Sequence, residues 1–284
     1  MKKVIALILS FCFIFSAFAM AGITSSAEAY ATEMPEQKEH GFITARDGAK
    51  IEYAIYGNLN AEPLVMLPCN GNDMHNFDNT LLPEMAEHFK VITVSPRGTG
   101  ASERGEGALT FDVESDDLLF MLDELGIEKT HLFGFSDGGN LAIVFAVQHG
   151  DRVLSLIPMG ANINDRGTKI TNQIGIVFEY WILCIQAKLS DDPAIALQRD
   201  IKGMMVGQPV LKFKDLEKIN VPTLNIYGES DMMYRTHSKK ITKSIPGAKE
   251  LMVKGGGHSS CFDYTHEILI PEILNFYTSN NFIK

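Results

Sequence analysis

The stretch Thr130–Val144, THLFGFSDGGNLAIV, decides the reading of this chain. An apolar run, His131-Leu132-Phe133, leads into Gly134-Phe135-Ser136-Asp137-Gly138-Gly139, and apolar residues at helical spacing follow from Leu141 to Val147. A serine at a sharp strand-to-helix turn is held in a strained backbone conformation with its hydroxyl presented outward. Gly134 and Gly138 lack the side chains that would keep strand and helix apart. The helix that begins there aims free N–H groups and its positive end at any negative charge developing near the serine. A bland alternative exists, since any α/β protein can join a strand to a helix with glycines. The rest of the chain discriminates.

Working outward, short apolar runs recur between helical patterns. Gly41–Arg46 and Lys50–Tyr56 are β-like and joined by Asp47-Gly48, a hairpin signal. Leu64–Leu67, Val91–Val94 and Val153–Ile157 read as buried parallel strands, and Val221–Tyr227 and Glu250–Val253 resume the pattern. Helices are expected around Asn79–His88, over Phe111–Leu125 and over Asp263–Phe276. Strands alternating with helices predict an α/β fold, a mainly parallel sheet with helices on both faces. From about Ala161 to Phe213 the strand rhythm stops, and two helices with apolar faces are expected, one carrying Ile170, Ile174, Val177, Trp181 and Ile185. The domain reading is therefore a core over 41–160 and 214–284 with a helical insertion over 161–213.

With 284 residues, 45% of them hydrophobic and 21% charged, the chain is long enough for one large globular core. The net charge of −10 argues against nucleic acid or an anionic membrane surface as partner. No spacing of the H-E-x-x-H or paired C-x-x-C kind points to a metal. Lys2 and Lys3 precede an apolar run from Val4 to Phe18 and small residues at Ala17, Ala19 and Ala21, the layout of a secretory signal peptide over 1–21. Export is expected, with an uncleaved membrane anchor as the alternative. Residues 22–40 read as a flexible polar leader. After cleavage no stable membrane insertion is expected. Cys69, Cys184 and Cys261 would remain, an odd number that allows at most one internal disulfide.

A serine hydroxyl is a poor nucleophile unless a base takes its proton, and the base needs a carboxylate to orient it. Val221–Asp231 is a buried strand ending in a glycine turn and Asp231; Lys254-Gly255-Gly256-Gly257-His258 ends the next strand in a histidine. Both fall at C-terminal strand ends, where open α/β sheets bind ligands. Glu229 and Asp165 are alternative carboxylates, and the remaining histidines are expected at the surface or at helix ends.

These motifs resemble those of the α/β-hydrolases from about Gly41 to the C-terminus: the elbow Gly134–Gly138, the loop Arg97-Gly98-Thr99-Gly100-Ala101-Ser102, the strand and turn from Pro222 to Asp231, and Gly257-His258. The resemblance implies Ser136 as nucleophile, His258 as general base and acid, Asp231 as its carboxylate, and backbone N–H groups of Asn70 and Asp137 as the oxyanion hole. It implies a cap over 161–213, a substrate pocket including Trp181 and Phe135, and no cofactor. Pro68-Cys69 stands where the family usually has His-Gly, which alters the oxyanion loop. Ser95 stands where Asp is frequent. The elbow also resembles that of biphenyl-hydrolase-like enzymes, which implies an acidic contact from Asp137 to an amine-bearing substrate. The expected activity is hydrolysis of small-molecule esters with small to medium acyl or alkyl groups. An amide or peptide hydrolase of the proline-aminopeptidase type, a cofactor-free haloperoxidase, a C–C hydrolase and a non-catalytic ligand-binding member are the alternatives.

Overall fold

The computed structural model describes residues 33–284; the signal-peptide expectation and the leader up to residue 32 lie outside them. Eight strands form one sheet: β1 (Gln37–Thr44), β2 (Lys50–Gly57), β3 (Pro63–Leu67), β4 (Lys90–Val94), β5 (Thr130–Phe135), β6 (Val153–Met159), β7 (Leu224–Gly228) and β8 (Lys249–Val253). Their spatial order is β1-β2-β4-β3-β5-β6-β7-β8. β1 and β2 pair antiparallel at one edge, and all pairings from β4 to β8 are parallel. β1 begins at Gln37, so the expected leader does not extend to residue 40. Polar residues line that start because β1 is an edge strand, with four of its first residues exposed.

Both faces of the sheet are covered, and alternate residues of each strand sort onto them. Val65, Leu67, Ile92, Val94 and Leu132 pack under α2 (Phe111–Glu124) and α3 (Asp137–Gln148). Leu64, Met66, Val91, Phe133 and Ile157 face the other way, against α1 (Leu82–His88) and α7 (Ile270–Ser279). This double burial is why the central strands read as unbroken apolar runs. Between β6 and β7 lie α4 (Ile170–Leu189) and α5 (Pro193–Gly203). A further helix, α6 (Arg235–Ser244), precedes β8 and was not legible in the sequence, where Ile241 is its lone aliphatic side chain. Among the described residues no helix is long and apolar enough to cross a membrane.

Two histidines depart from expectation. His131 is fully buried in β5, bonded through Nδ1 to Ser155 Oγ (2.8 Å) and through Nε2 to Glu62 (2.9 Å). His237 is buried on α6, where burial and then the nearby Lys240 charge push it down to about 4. Each histidine is tolerated inside because its ring is held neutral and hydrogen-bonded.

Candidate active site

Ser136 is the point where β5 becomes α3. Its φ of 56° with ψ of −117° is a strained conformation for a residue with a side chain. The surroundings enforce it. Ser136 N–H donates to Met159 O on the neighbouring strand (2.8 Å), and a Cβ on Gly134 would lie 2.1 Å from Gly138 O. A Cβ on Gly138 would lie 2.1 Å from Leu67 O, so the first turn of α3 rests directly on the end of β3. The two glycines of the elbow are steric requirements, as the sequence implies.

β7 and β8 deliver the other two groups. Glu229 N–H donates to Val253 O (2.9 Å) and Ser230 N–H to Gly256 O (2.8 Å), tying the two strand-end loops together. His258 Nε2 then lies 2.9 Å from Ser136 Oγ, and His258 Nδ1 lies 2.8 Å from Asp231 Oδ1. Asp231 is 1% exposed and also accepts from Met233 N–H (3.0 Å) and Gly228 N–H (3.4 Å). Burial alone would raise its carboxyl. The His258 hydrogen bond and charge, with those two backbone donors, outweigh burial and leave it lowered, hence ionised. Of the alternative carboxylates, Glu229 bonds Gly255 N–H (3.1 Å) and Asp165 opens a short 3-10 turn; neither meets His258. Gly160, at φ +61° past the end of β6, was missed in the sequence: a Cβ there would lie 3.0 Å from His258 Cε1.

The remaining predicted residues divide. Phe135 is buried, with its ring centroid 5.1 Å from that of His258 and 4.9 Å from Phe262 in an edge-on contact. It walls the histidine from behind. Trp181 is a correction: it is 59% exposed on α4 beside Phe178, on a face with Ile170, Ile174 and Val177, and does not line the cavity at the elbow. The helix follows the expected period, but α4 docks on α5 by its other side, turning this stripe outward.

Asn70 follows β3, and Asp137 follows Ser136. Among the described residues, neither backbone N–H has an acceptor within the chain. Both Asp137 carboxylate oxygens accept from asparagine amides, Asn70 Nδ2 (2.9 Å) and Asn140 Nδ2 (3.1 Å). Burial pushes that carboxyl up to about 6. Both oxygens of Asp137 are thus engaged within the protein. The adjoining cavity, lined by Asn70, Pro96, Leu141, Ile201 and Met204, measures about 20 Å³, room for a single water. Cys69 Sγ accepts from Asn72 Nδ2 (2.9 Å), and burial raises its thiol. Elsewhere, Glu84, Glu87 and His88 bring ligand atoms within 4.8 Å of one another on α1, which supplies nothing to the Ser136 site.

Comparison with known proteins agrees with this fold. Residues 62–181 match the model of the alpha/beta hydrolase fold. A carbamate hydrolase (so named) from Caulobacter segnis is 35% identical over 203 residues, 61% of this chain and 76% of that protein. The chain belongs to the alpha/beta hydrolase family. Among solved structures, the enol-lactonase from Burkholderia xenovorans aligns with this alpha/beta hydrolase at a TM-score of 0.68 and 20% identity, over 84% of this chain and 99% of the other. The carboxylesterase CesB from Bacillus subtilis aligns at 0.65 and 20% identity, over 85% and 91%. At that identity the structural likeness speaks to the fold.

Proposed function

We propose that this alpha/beta hydrolase is a serine hydrolase that cleaves carboxylic esters carrying small to medium acyl or alkyl groups. The observation that carries the reading is the continuous pair of hydrogen bonds from Ser136 Oγ to His258 to Asp231. In the proposed cycle His258 Nε2 takes the Ser136 proton as Oγ attacks the ester carbonyl. Asp231, ionised and buried, holds the ring tautomer and stabilises the cation that forms. Negative charge growing on the carbonyl oxygen meets the free N–H groups of Asn70 and Asp137. His258 then protonates the leaving alcohol, and a water activated by the same ring hydrolyses the acyl-enzyme.

The test is fluorophosphonate labelling of wild type and Ser136→Ala, with turnover of p-nitrophenyl acetate, butyrate and octanoate. Labelling lost in the variant, with turnover of the shorter esters, is the expected outcome. A folded wild type that neither labels nor turns over any ester would remove the proposal in favour of ligand binding. Activity confined to amides or to C–C bonds would keep the nucleophile and replace the substrate. We further propose export, on the N-terminal pattern; N-terminal sequencing of extracellular protein should find residue 20, 22 or 30 first.

A further inference from the structure

The oxyanion loop of this chain lacks the usual His-Gly, and the structure places an unusual side chain where that loop meets the elbow. Asn70 Nδ2 donates to Asp137 Oδ2 (2.9 Å) and to Ile201 O on α5 (2.8 Å). Both contacts are acceptors, so the amide orientation is fixed: a flipped Asn70 would aim its carbonyl at two oxygens. The line continues inward. Asp137 Oδ1 accepts from Asn140 Nδ2 (3.1 Å); Asn140 Nδ2 also donates to Asn162 Oδ1 (3.1 Å), and Asn162 N–H donates to Asn140 Oδ1 (2.7 Å). One chain of hydrogen bonds therefore runs from the end of β6, through α3 and the elbow, to the loop after β3 and the insertion helix.

We propose that the Asn70 side chain is a positioning residue, joining the two backbone donors of the oxyanion hole to each other and to α5. The inference rests on the proposed serine chemistry, since the donors matter only if an oxyanion forms between them. The physical need is plain. Asp137 N–H is fixed by the first turn of α3, which sits on Leu67 O, whereas Asn70 N–H belongs to a loop whose other ties include Cys69 N–H to Asn76 Oδ1 (2.9 Å), Asn72 N–H to Cys69 O (3.0 Å), Asn72 Nδ2 to Cys69 Sγ (2.9 Å) and Met74 N–H to Ser95 Oγ (3.3 Å). Gly71 follows at φ +75°. The Asn70 amide supplies the direct bond between that loop and the elbow. The same two hydrogens make the hole responsive to α5: a ligand that lifts Ile201 removes one anchor of the donor loop. α5 is seated there by Leu197 against Gly98 and by an ion pair from Arg104 to Asp200 (2.7 Å).

The experiment compares Asn70→Ala and the isosteric Asn70→Asp with wild type, reading kcat and KM on p-nitrophenyl butyrate, the fluorophosphonate labelling rate and inhibition by phenylboronic acid. Every variant keeps the backbone N–H. Misplacing a donor by about 1 Å costs on the order of a hundredfold. Asn70→Ala should therefore lose ten- to a hundredfold in kcat with KM within threefold, and boronate affinity and labelling rate should fall in step. Asn70→Asp should lose more, and increasingly so as pH rises, because the adjoining carboxylates then lose the proton they share. Combining Asn70→Ala with Asp137→Ala should cost no more than the worse single change. Wild-type kcat in either Asn70 variant, or losses that multiply in the double variant, would overturn the proposal. A wild type that never labels would instead overturn the serine reading on which it rests.

Discussion

Replacing Glu114 by Gln tests the electrostatics beneath the elbow. Glu114 lies on α2 and faces Asp137, Asp117 and Arg97. Burial first, then the charges of Asp137 and Asp117, push its carboxyl from 4.5 up to about 8, while Arg97 opposes them. The unfolded chain releases this proton from pH 4.5 upward and the folded chain holds it until about 8, so folding stability falls as pH rises through that window. At ~1.36 kcal/mol per pH unit the whole interval amounts to about 5 kcal/mol. About 3 kcal/mol of it falls between pH 5 and pH 8. Gln fills the same space and does not titrate. Urea unfolding of both proteins at pH 5, 6, 7 and 8 should give a gap that widens with pH in favour of Glu114→Gln, reaching about 3 kcal/mol more at pH 8 than at pH 5. Parallel curves would refute the reasoning, because they would mean that the folded protein accommodates the Glu114 charge as readily as water does.

Other substitutions probe separate parts of the molecule. Arg97→Ala should destabilise by roughly 3–5 kcal/mol, read as a lowered urea midpoint, since Arg97 is buried between Asp117 (2.5 and 2.8 Å) and Asp47 (2.6 and 3.0 Å) and its loss strands the Asp117 carboxylate. Gly138→Ala should abolish soluble expression or cost several kcal/mol, on the order of the largest point-mutant effects, because the new Cβ would lie 2.1 Å from Leu67 O. Asp231→Asn should lower kcat by about 10⁴ with KM little changed, by favouring the wrong His258 tautomer. Trp181→Ser should change stability by less than about 0.5 kcal/mol and leave p-nitrophenyl acetate kinetics within twofold. A raised KM there would put the α4 face in the path of substrate.

What the sequence made legible follows from how each element is stabilised. The central strands are buried on both faces, so Leu64–Leu67 and Val91–Val94 are announced by composition alone. The start of the edge strand β1 and helix α6 are not: Gln37–His40 is polar because it faces solvent, and α6 buries little besides His237, Ser238 and Ile241. Periodicity locates α4 and says nothing of which neighbour it meets. Its stripe of Ile170, Ile174, Val177 and Trp181 has the spacing of a core face and is exposed, because only its opposite side reaches α5. A one-dimensional pattern specifies an amphipathic helix, and docking is a three-dimensional fact.

The same distinction governs the site. Ser136, Asp231 and His258 are visible because each ends a strand at a glycine turn, and a parallel sheet carries all such ends to one edge; local signals become a shared location through topology. Asn140 and Asn162 carry no comparable signal, being common loop and helix residues, and Asn70 is marked by the resemblance for its backbone N–H alone, with nothing to announce its side chain. They meet only because β3 neighbours β5 and β5 neighbours β6. The chain thus encodes the reacting groups locally and the groups that hold them non-locally. It follows that substitutions in the asparagine line should alter rate without altering the identity of the chemistry, whereas substitutions at the glycine turns should remove the fold and the chemistry together.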